Sequence, residues 1–179
     1  MKRVAAERLV FLDESGANLS MGRTHAWIPR GTEQVEGRPM NWGTNLTMIG
    51  AIRLSGWVTL STMFKTANGD RFAAWVRRRL APKLRAGDVV ILDNAQAHKN
   101  ARVAALIEAR GARIEFLPPY SPDFNPIERC WGLAKKDIRR VAPRNSAALR
   151  KAAHAARHRV RPHHCRAFFK HAGYEHRLN

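Results

Sequence analysis

Residues 89–93 (Val-Val-Ile-Leu-Asp) open the stretch that decides the fold, and residues 117–128 (Leu-Pro-Pro-Tyr-Ser-Pro-Asp-Phe-Asn-Pro-Ile-Glu) close it. Four consecutive apolar residues bounded by polar ones are typical of a strand buried on both faces, and Asp93 follows where that strand leaves the core. The Asn-Pro-Ile-Glu end of the second segment has the pattern of a helix start, with an N-cap, a first-turn proline and an acid. The stretch therefore predicts a strand that ends in one carboxylate and a helix that begins with another, Glu128.

A third acid follows a similar strand near the start of the chain. Residues 9–14 (Leu-Val-Phe-Leu-Asp-Glu) again place an apolar run directly before an acid, Asp13. Two strands that end alike suggest neighbours in one sheet, so Asp13 and Asp93 are expected to lie side by side. An alternative for Glu128 is purely structural, because an acid at this position of a helix start also completes a capping box.

The remaining pattern predicts an α/β domain built on a mixed five-stranded sheet flanked by helices. Three strands form an antiparallel meander, and two more alternate with helices. The predicted strands are residues 8–13, 46–52, 57–63, 89–92 and 113–117, with 25–29 as a possible additional strand. Helices are expected after Asn68 and after His98.

Beyond Glu128 the chain is predicted to be helical and basic. Apolar residues recur at helical spacing over 127–138, Pro143 ends that helix, and 146–158 has the pattern of another. Residues 161–179 mix turn residues with two phenylalanines and are expected to pack over the edge of the sheet. The whole chain, 1–179, is thus predicted to be one domain, with 144–179 as a basic helical C-terminal extension.

Composition points to a polyanionic partner. The 179 residues carry 32 Lys and Arg against 14 Asp and Glu, a formal net charge of +18. The alternative is a protein that is basic only because its genome favours arginine. Two distant cysteines give no disulfide framework, and neither a signal region nor an apolar run of about eighteen residues is present. We expect a cytoplasmic protein.

Three acids on separate elements suit one kind of chemistry in particular. Carboxylates are the hard oxygen ligands that Mg²⁺ prefers, and two such ions about 3.5 to 4 Å apart can activate a water or hydroxyl and stabilise the leaving oxygen of a phosphodiester. Asp13 and Asp93 would share one ion, and Glu128 would complete the second. A zinc site at His98 or at the 163–165 His-His-Cys cluster is disfavoured, since neither has partners at ligand spacing.

Several segments of the sequence resemble the catalytic domain of DDE transposases, in the bacterial insertion-sequence-630 group related to mariner elements. They are residues 11–16, residues 91–95 with His98, and residues 117–128 with Trp131 and Lys135. The 34 residues between Asp93 and Glu128 match the spacing of that group. The likeness extends from about Arg8 to Tyr174.

The resemblance implies a ribonuclease-H-like fold and DNA transposition. It implies cleavage of DNA at insertion-sequence ends and transfer of the 3′-hydroxyl to target DNA, usually at a TA dinucleotide. Asp13, Asp93 and Glu128 would be the catalytic, metal-binding triad for two Mg²⁺ ions, with Mn²⁺ as a substitute. A homodimer on DNA is also implied, whereas the neighbouring acids Glu14 and Asp123 are turn and cap residues and the role of His98 stays open.

One departure from the group is that the first catalytic strand begins almost at Met1. Such transposases carry helix-turn-helix modules ahead of the catalytic domain. We therefore expect either an upstream reading frame, joined by frameshifting, that supplies this module, or a truncated copy. An inactive or truncated transposase-derived DNA-binding protein is the alternative function, and a ribonuclease H or junction resolvase would share the triad.

Overall fold

The computed structural model describes residues 4–37, 43, 45–66, 68–94 and 100–174. His98 lies outside the described residues. None of the helices in the part of the chain that the structure describes is both long and apolar enough to cross a membrane.

The described residues form five strands, five α-helices and short single turns. The strands are β1 (Leu9–Ala17), β2 (Leu46–Arg53), β3 (Gly56–Met63), β4 (Val89–Leu92) and β5 (Arg113–Phe116). The helices are α1 (Gly69–Trp75), α2 (Ala101–Glu108), α3 (Pro126–Val141), α4 (Ser146–Ala156) and α5 (Pro162–His171). A π-helical turn, Val76–Leu80, continues α1.

The five strands make one mixed sheet in the order β3-β2-β1-β4-β5. The β1, β2 and β3 strands pair antiparallel, and β1, β4 and β5 pair parallel. This arrangement confirms the predicted sheet, a meander joined to two strands that alternate with helices. The central position of β1 buries its first five residues completely or nearly so, and it is this strand that carries Asp13.

Helices cover both faces of the sheet. We call the side packed against α3, α4 and α5 the α3 face, and the side packed against α1 and α2 the α1 face. Alternation along β1 sends Phe11 to the core of the α3 face and Leu12 to that of the α1 face. Asp13 follows the parity of Phe11 and therefore belongs to the α3 face.

Three local predictions were wrong. First, β1 does not end at Asp13, because its later residues pair with β2 as far as Ala17 opposite Leu46. Second, residues 25–29 form no strand and are exposed. Third, residues 161–179 were expected to pack over the edge of the sheet, whereas α5, in the described part of this segment, lies on the α3 face, where Phe169 meets Phe11 of the central strand edge-on with ring centroids 5.1 Å apart.

Candidate active site

Strand register brings the first two acids of the predicted triad together. Phe11 of β1 pairs with Ile91 of the parallel strand β4. Asp13 and Asp93 each lie two residues further along their strands, so both reach the same end of the sheet on the same side. Asp13 is 6% exposed, and Asp93 is partly buried. The predicted neighbour relation of these two strands is confirmed.

The third acid reaches this place from a helix. Asn125 is the N-cap of α3 and Pro126 its first residue, as predicted, and Glu128 lies exposed in the first turn. The Asn125 side chain makes no capping hydrogen bond, in contrast to those of Asn68, Asn100 and Asn145, which each accept one from a backbone N–H. The start of α3 therefore lacks the Asn125 side-chain cap of a capping box, the arrangement that would give Glu128 a purely structural role.

The pKa of Asp13 depends on both of the other acids. The pKa of Asp13 is raised from 3.8 to about 7, chiefly by burial and then by the negative charges of Glu128 and, more weakly, Asp93, while hydrogen bonds from the Glu14 backbone and the Trp131 side chain lower it. Both other members of the triad thus act on the carboxylate of Asp13. A divalent cation among them would relieve this repulsion, and the donor set of three carboxylates suits Mg²⁺ better than zinc.

The triad does not form a closed cage. Among the residues that the structure describes, no three His, Cys, Asp or Glu side chains lie close enough together to hold one metal ion. Asp93 and Glu128 instead line one open cleft, and the charges of both act on the buried Asp13. The other candidate ligands lie on α5, where His164 Nδ1 accepts the Arg161 N–H at 3.1 Å and Cys165 is buried in the core.

A cavity of about 480 Å³ connects the second and third acids. It is lined by Asp93, Asn94, residues 117–122, Asn125 and Glu128, so the proline-rich segment forms its wall. Tyr120 has a left-handed backbone (φ 56°) and a fully exposed ring at this wall. A bulky residue in that conformation is strained, and such strain is concentrated at functional sites.

Two residues of the site were not predicted to act there. Trp131 of α3 donates its indole Nε1–H to Asp13 Oδ2 at 3.0 Å, and both groups are buried. Asn125 is 5% exposed, and its Oδ1 is buried without a hydrogen-bond partner among the described residues. The sequence offered a signal for Trp131, which is part of the quoted motif, but its acceptor on β1 is 118 residues away and could not be predicted.

A basic groove runs along α3 from this cavity. Asn125 and Glu128 line both this cavity and a second one further along the helix. Gly132 and Lys136 line the second cavity and also a third, which has a volume of about 750 Å³. We call this third cavity the α3 groove; its lining includes Arg23, His25, Trp27, Lys136, Arg139, Arg140 and Arg159, with Asp137 as its acid. Positive charge therefore extends from the acids along one face of the helix.

Comparison with known proteins agrees with this architecture. Residues 8–150 match the family model of the DDE superfamily endonucleases. No curated protein sequence matches the chain significantly.

Three solved structures share the fold. The Mos1 strand transfer complex has a TM-score of 0.58 at 20% identity, over 90% of this chain and 54% of that one. The Mos1 transposase paired-end complex with the left transposon end has a TM-score of 0.58 at 18% identity, over 90% and 55%. The Mos1 transposase catalytic domain with Raltegravir and Mg gives 0.51 at 17% identity, over 90% and 83%.

The chain thus spans about half the length of the Mos1 chains in the two complexes and most of the isolated catalytic domain. Its mixed sheet with flanking helices is the ribonuclease-H-like fold of that domain, as the resemblance implied. Because the family model covers most of the chain, including all three acids, the protein belongs to the DDE superfamily endonucleases.

Proposed function

We propose that this chain is a transposase catalytic domain that cleaves DNA at the ends of an insertion sequence and transfers the 3′-hydroxyl to target DNA. One observation carries the proposal: Asp93 and Glu128 line one cavity and the charges of both act on Asp13, in a chain whose family is that of DDE endonucleases. The structures that share its fold include a strand transfer complex and a paired-end complex with a transposon end.

In this proposal Asp13, Asp93 and Glu128 hold two Mg²⁺ ions, and Mn²⁺ can replace them. Bound ions would activate the attacking water or 3′-hydroxyl and stabilise the charge of the leaving oxygen. The support is the donor chemistry and the mutual repulsion of the carboxylates. The Mos1 paired-end complex has been described both with Mn and with Mg.

The protein's own contribution is to place the carboxylates and the DNA. Asp13 is fixed inside the sheet, Asp93 follows a strand end, and Glu128 stands on the first turn of a rigid helix. The α3 groove is suited to DNA phosphates, because its lysine and arginine side chains lie beside a helix face opened by Gly132. From Glu128 to Arg140 the helix rises about 18 Å, enough for roughly five phosphates of one strand.

We further propose that two copies act together on DNA, and that a helix-turn-helix module encoded upstream recognises the element ends. The strongly basic chain provides affinity for any DNA, and the groove is lined mainly by lysine and arginine side chains, which bind phosphates without reading sequence. Mass photometry on end-containing DNA, with and without the upstream module added in trans, tests both statements. A single copy bound in every mixture would contradict pairing.

Nicking of supercoiled plasmid tests the proposal without needing end recognition. The purified chain is incubated with Mn²⁺, Mg²⁺ or a chelator, next to Asp93→Asn and the matched control Asp70→Asn. Asp70 is an exposed acid in the first turn of α1, paired to Arg102 at 3.0 Å. We expect metal-dependent nicking by the wild type and by Asp70→Asn and its loss in Asp93→Asn.

The alternative function, an inactive transposase-derived DNA-binding protein, makes a different prediction in the same assay. Such a chain would bind plasmid in a salt-sensitive way but would not nick it with any metal ion. Addition of the upstream module would not restore nicking. A ribonuclease H would instead cut an RNA–DNA hybrid in preference to plasmid.

A further inference from the structure

We propose that Trp131 is a positioning residue for the metal-binding carboxylate of Asp13, and that Gly50 exists as glycine to make room for it. The inference rests on the proposed function, since it concerns the same metal centre. It assigns a role to two residues that hold no metal and touch no reacting atom.

The indole of Trp131 restrains the carboxylate at one oxygen. Its Nε1–H donates to Asp13 Oδ2 at 3.0 Å, and the Glu14 backbone also donates to this carboxylate. Two donors of fixed direction hold the plane of a carboxylate group. Because Trp131 belongs to α3, the helix that carries Glu128, this hydrogen bond also ties the helix start to the central strand.

The position of the indole is set by packing against Trp57 and Gly50. Trp131 is 1% exposed, and its ring lies 5.2 Å from that of Trp57 on β3. Gly50 of β2 is the direct register partner of Asp13. A Cβ at Gly50 would lie 2.7 Å from Cζ3 of Trp57 and 2.8 Å from Cη2 of Trp131, distances that real contacts do not reach.

Most buried indole N–H groups have an acceptor, so the kind of acceptor is informative. The neighbouring Trp57 donates to a backbone carbonyl, that of Arg157, at 3.1 Å. Trp131 instead donates to a carboxylate that faces Glu128 and Asp93. Partners of this kind orient a metal ligand, and their loss typically weakens metal affinity by about 10- to 100-fold.

Mn²⁺ binding to the DNA-free chain, followed by electron paramagnetic resonance, tests the proposal. The comparison is between Trp131→Phe and Trp57→Phe, which removes an indole from the same cluster without touching Asp13. Wild type and Asp13→Asn bracket the scale. We expect about 10- to 100-fold weaker Mn²⁺ binding in Trp131→Phe and less than about twofold change in Trp57→Phe.

The proposal is overturned if the two phenylalanine variants are folded and bind Mn²⁺ equally well. Equal binding by wild type and Asp13→Asn is a separate outcome, which would remove the metal centre itself and with it the proposed function.

A second measurement needs no folded variant. In the wild-type chain, which has five tryptophans, the indole N–H resonances of Trp131 and Trp57 are assigned from their nuclear Overhauser contacts and followed by ¹H–¹⁵N NMR during Mg²⁺ titration. The Trp131 resonance should move with the same midpoint as Mg²⁺ binding, while that of Trp57 moves little. A Trp131 resonance that stays unchanged at saturating Mg²⁺ would contradict the proposal.

Discussion

Each face of the sheet buries a tryptophan, but the two are used differently. On the α1 face, Trp75 packs on Phe72 with ring centroids 6.5 Å apart, and its indole N–H has no partner among the described residues. On the α3 face, the N–H of Trp131 is bound to Asp13. The α1 face is therefore stabilised by apolar packing, whereas a core residue of the α3 face also holds the carboxyl group of Asp13.

The basic residues show the same contrast. Arg77, Arg78 and Arg79 follow α1 and are exposed, whereas Lys136, Arg139 and Arg140 of α3 line a groove that leads to Glu128. Similar charge thus lies on both sides, but only on the α3 face does it adjoin the acids. Net charge alone predicts DNA affinity anywhere on the surface; the structure predicts it in one place.

The largest difference between the faces is expected from Glu128→Gln, with Glu108→Gln at the end of α2 as its matched control. Glu128 is a proposed metal ligand, and loss of such a carboxylate would remove several kcal/mol of charge stabilisation, so the plasmid nicking rate should fall by about 100-fold or more. The control should nick like the wild type. Equal rates in the two variants would show that the acid on α3 does no more than one on the opposite face.

A pH-dependent effect on stability is expected from Asp13→Asn in chelator. The pKa of Asp13 is raised from 3.8 to about 7 in the folded chain, so the folded state holds a proton that the unfolded state releases. The stability of the wild type should therefore fall as pH rises through this window and level off above it.

Because Asn does not titrate, the stability of Asp13→Asn relative to the wild type should increase between pH 4 and pH 7, as measured by denaturant unfolding. The gain should be on the order of 1 to 4 kcal/mol. Added Mg²⁺ should stabilise only the wild type. A difference that does not change with pH would mean that the carboxylate of Asp13 is not desolvated as described.

The two basic sets can be compared directly by replacing each with glutamine. The triple change at Lys136, Arg139 and Arg140 should lower the slope of log affinity against log salt by about 2 to 3, because each lost phosphate contact removes about 0.9. The triple change at Arg77, Arg78 and Arg79 removes equal charge and should alter the slope by less than about 1. Fluorescence anisotropy with duplex DNA in chelator measures both, and equal slopes would refute the groove as the DNA path.

The smallest effect is expected from Gly50→Ala. The added methyl must displace the buried indole of Trp131 or the partly buried one of Trp57, which costs about 1 to 3 kcal/mol of unfolding free energy. Gly16→Ala is the control, since a Cβ there meets nothing within 4 Å. Urea unfolding that gives equal stability for both variants would show that the contact at Gly50 relaxes freely.

Much of this fold could be predicted from periodicity. The apolar runs before Asp13 and Asp93 predicted two neighbouring strands, and the Asn-Pro-Ile-Glu segment predicted the start of α3. Residues 25–29 were assigned to a strand wrongly, because an apolar pair near a proline carries no information about a pairing partner. The end of β1 was missed because turn-forming residues there are outweighed by pairing with β2.

The site was predicted less completely than the fold. Acids that follow strands or begin helices indicate a metal site by residue type and position, so Asp13, Asp93 and Glu128 could be proposed as metal ligands from sequence. A tryptophan at helical spacing is usually a core residue, and its hydrogen bond depends on a strand 118 positions earlier. A glycine within a strand, such as Gly50, indicates that another group packs closely against the backbone, but it does not identify that group.

A crystal structure of the chain with Mn²⁺, read by anomalous scattering, tests the central claim most directly. That claim is that Asp13, Asp93 and Glu128 form one metal centre. The account predicts anomalous peaks in the cleft with oxygens of all three carboxylates as ligands, and no such peak for Asp13→Asn under the same conditions. Saturating Mn²⁺ bound elsewhere, with the three acids free of metal, would contradict it.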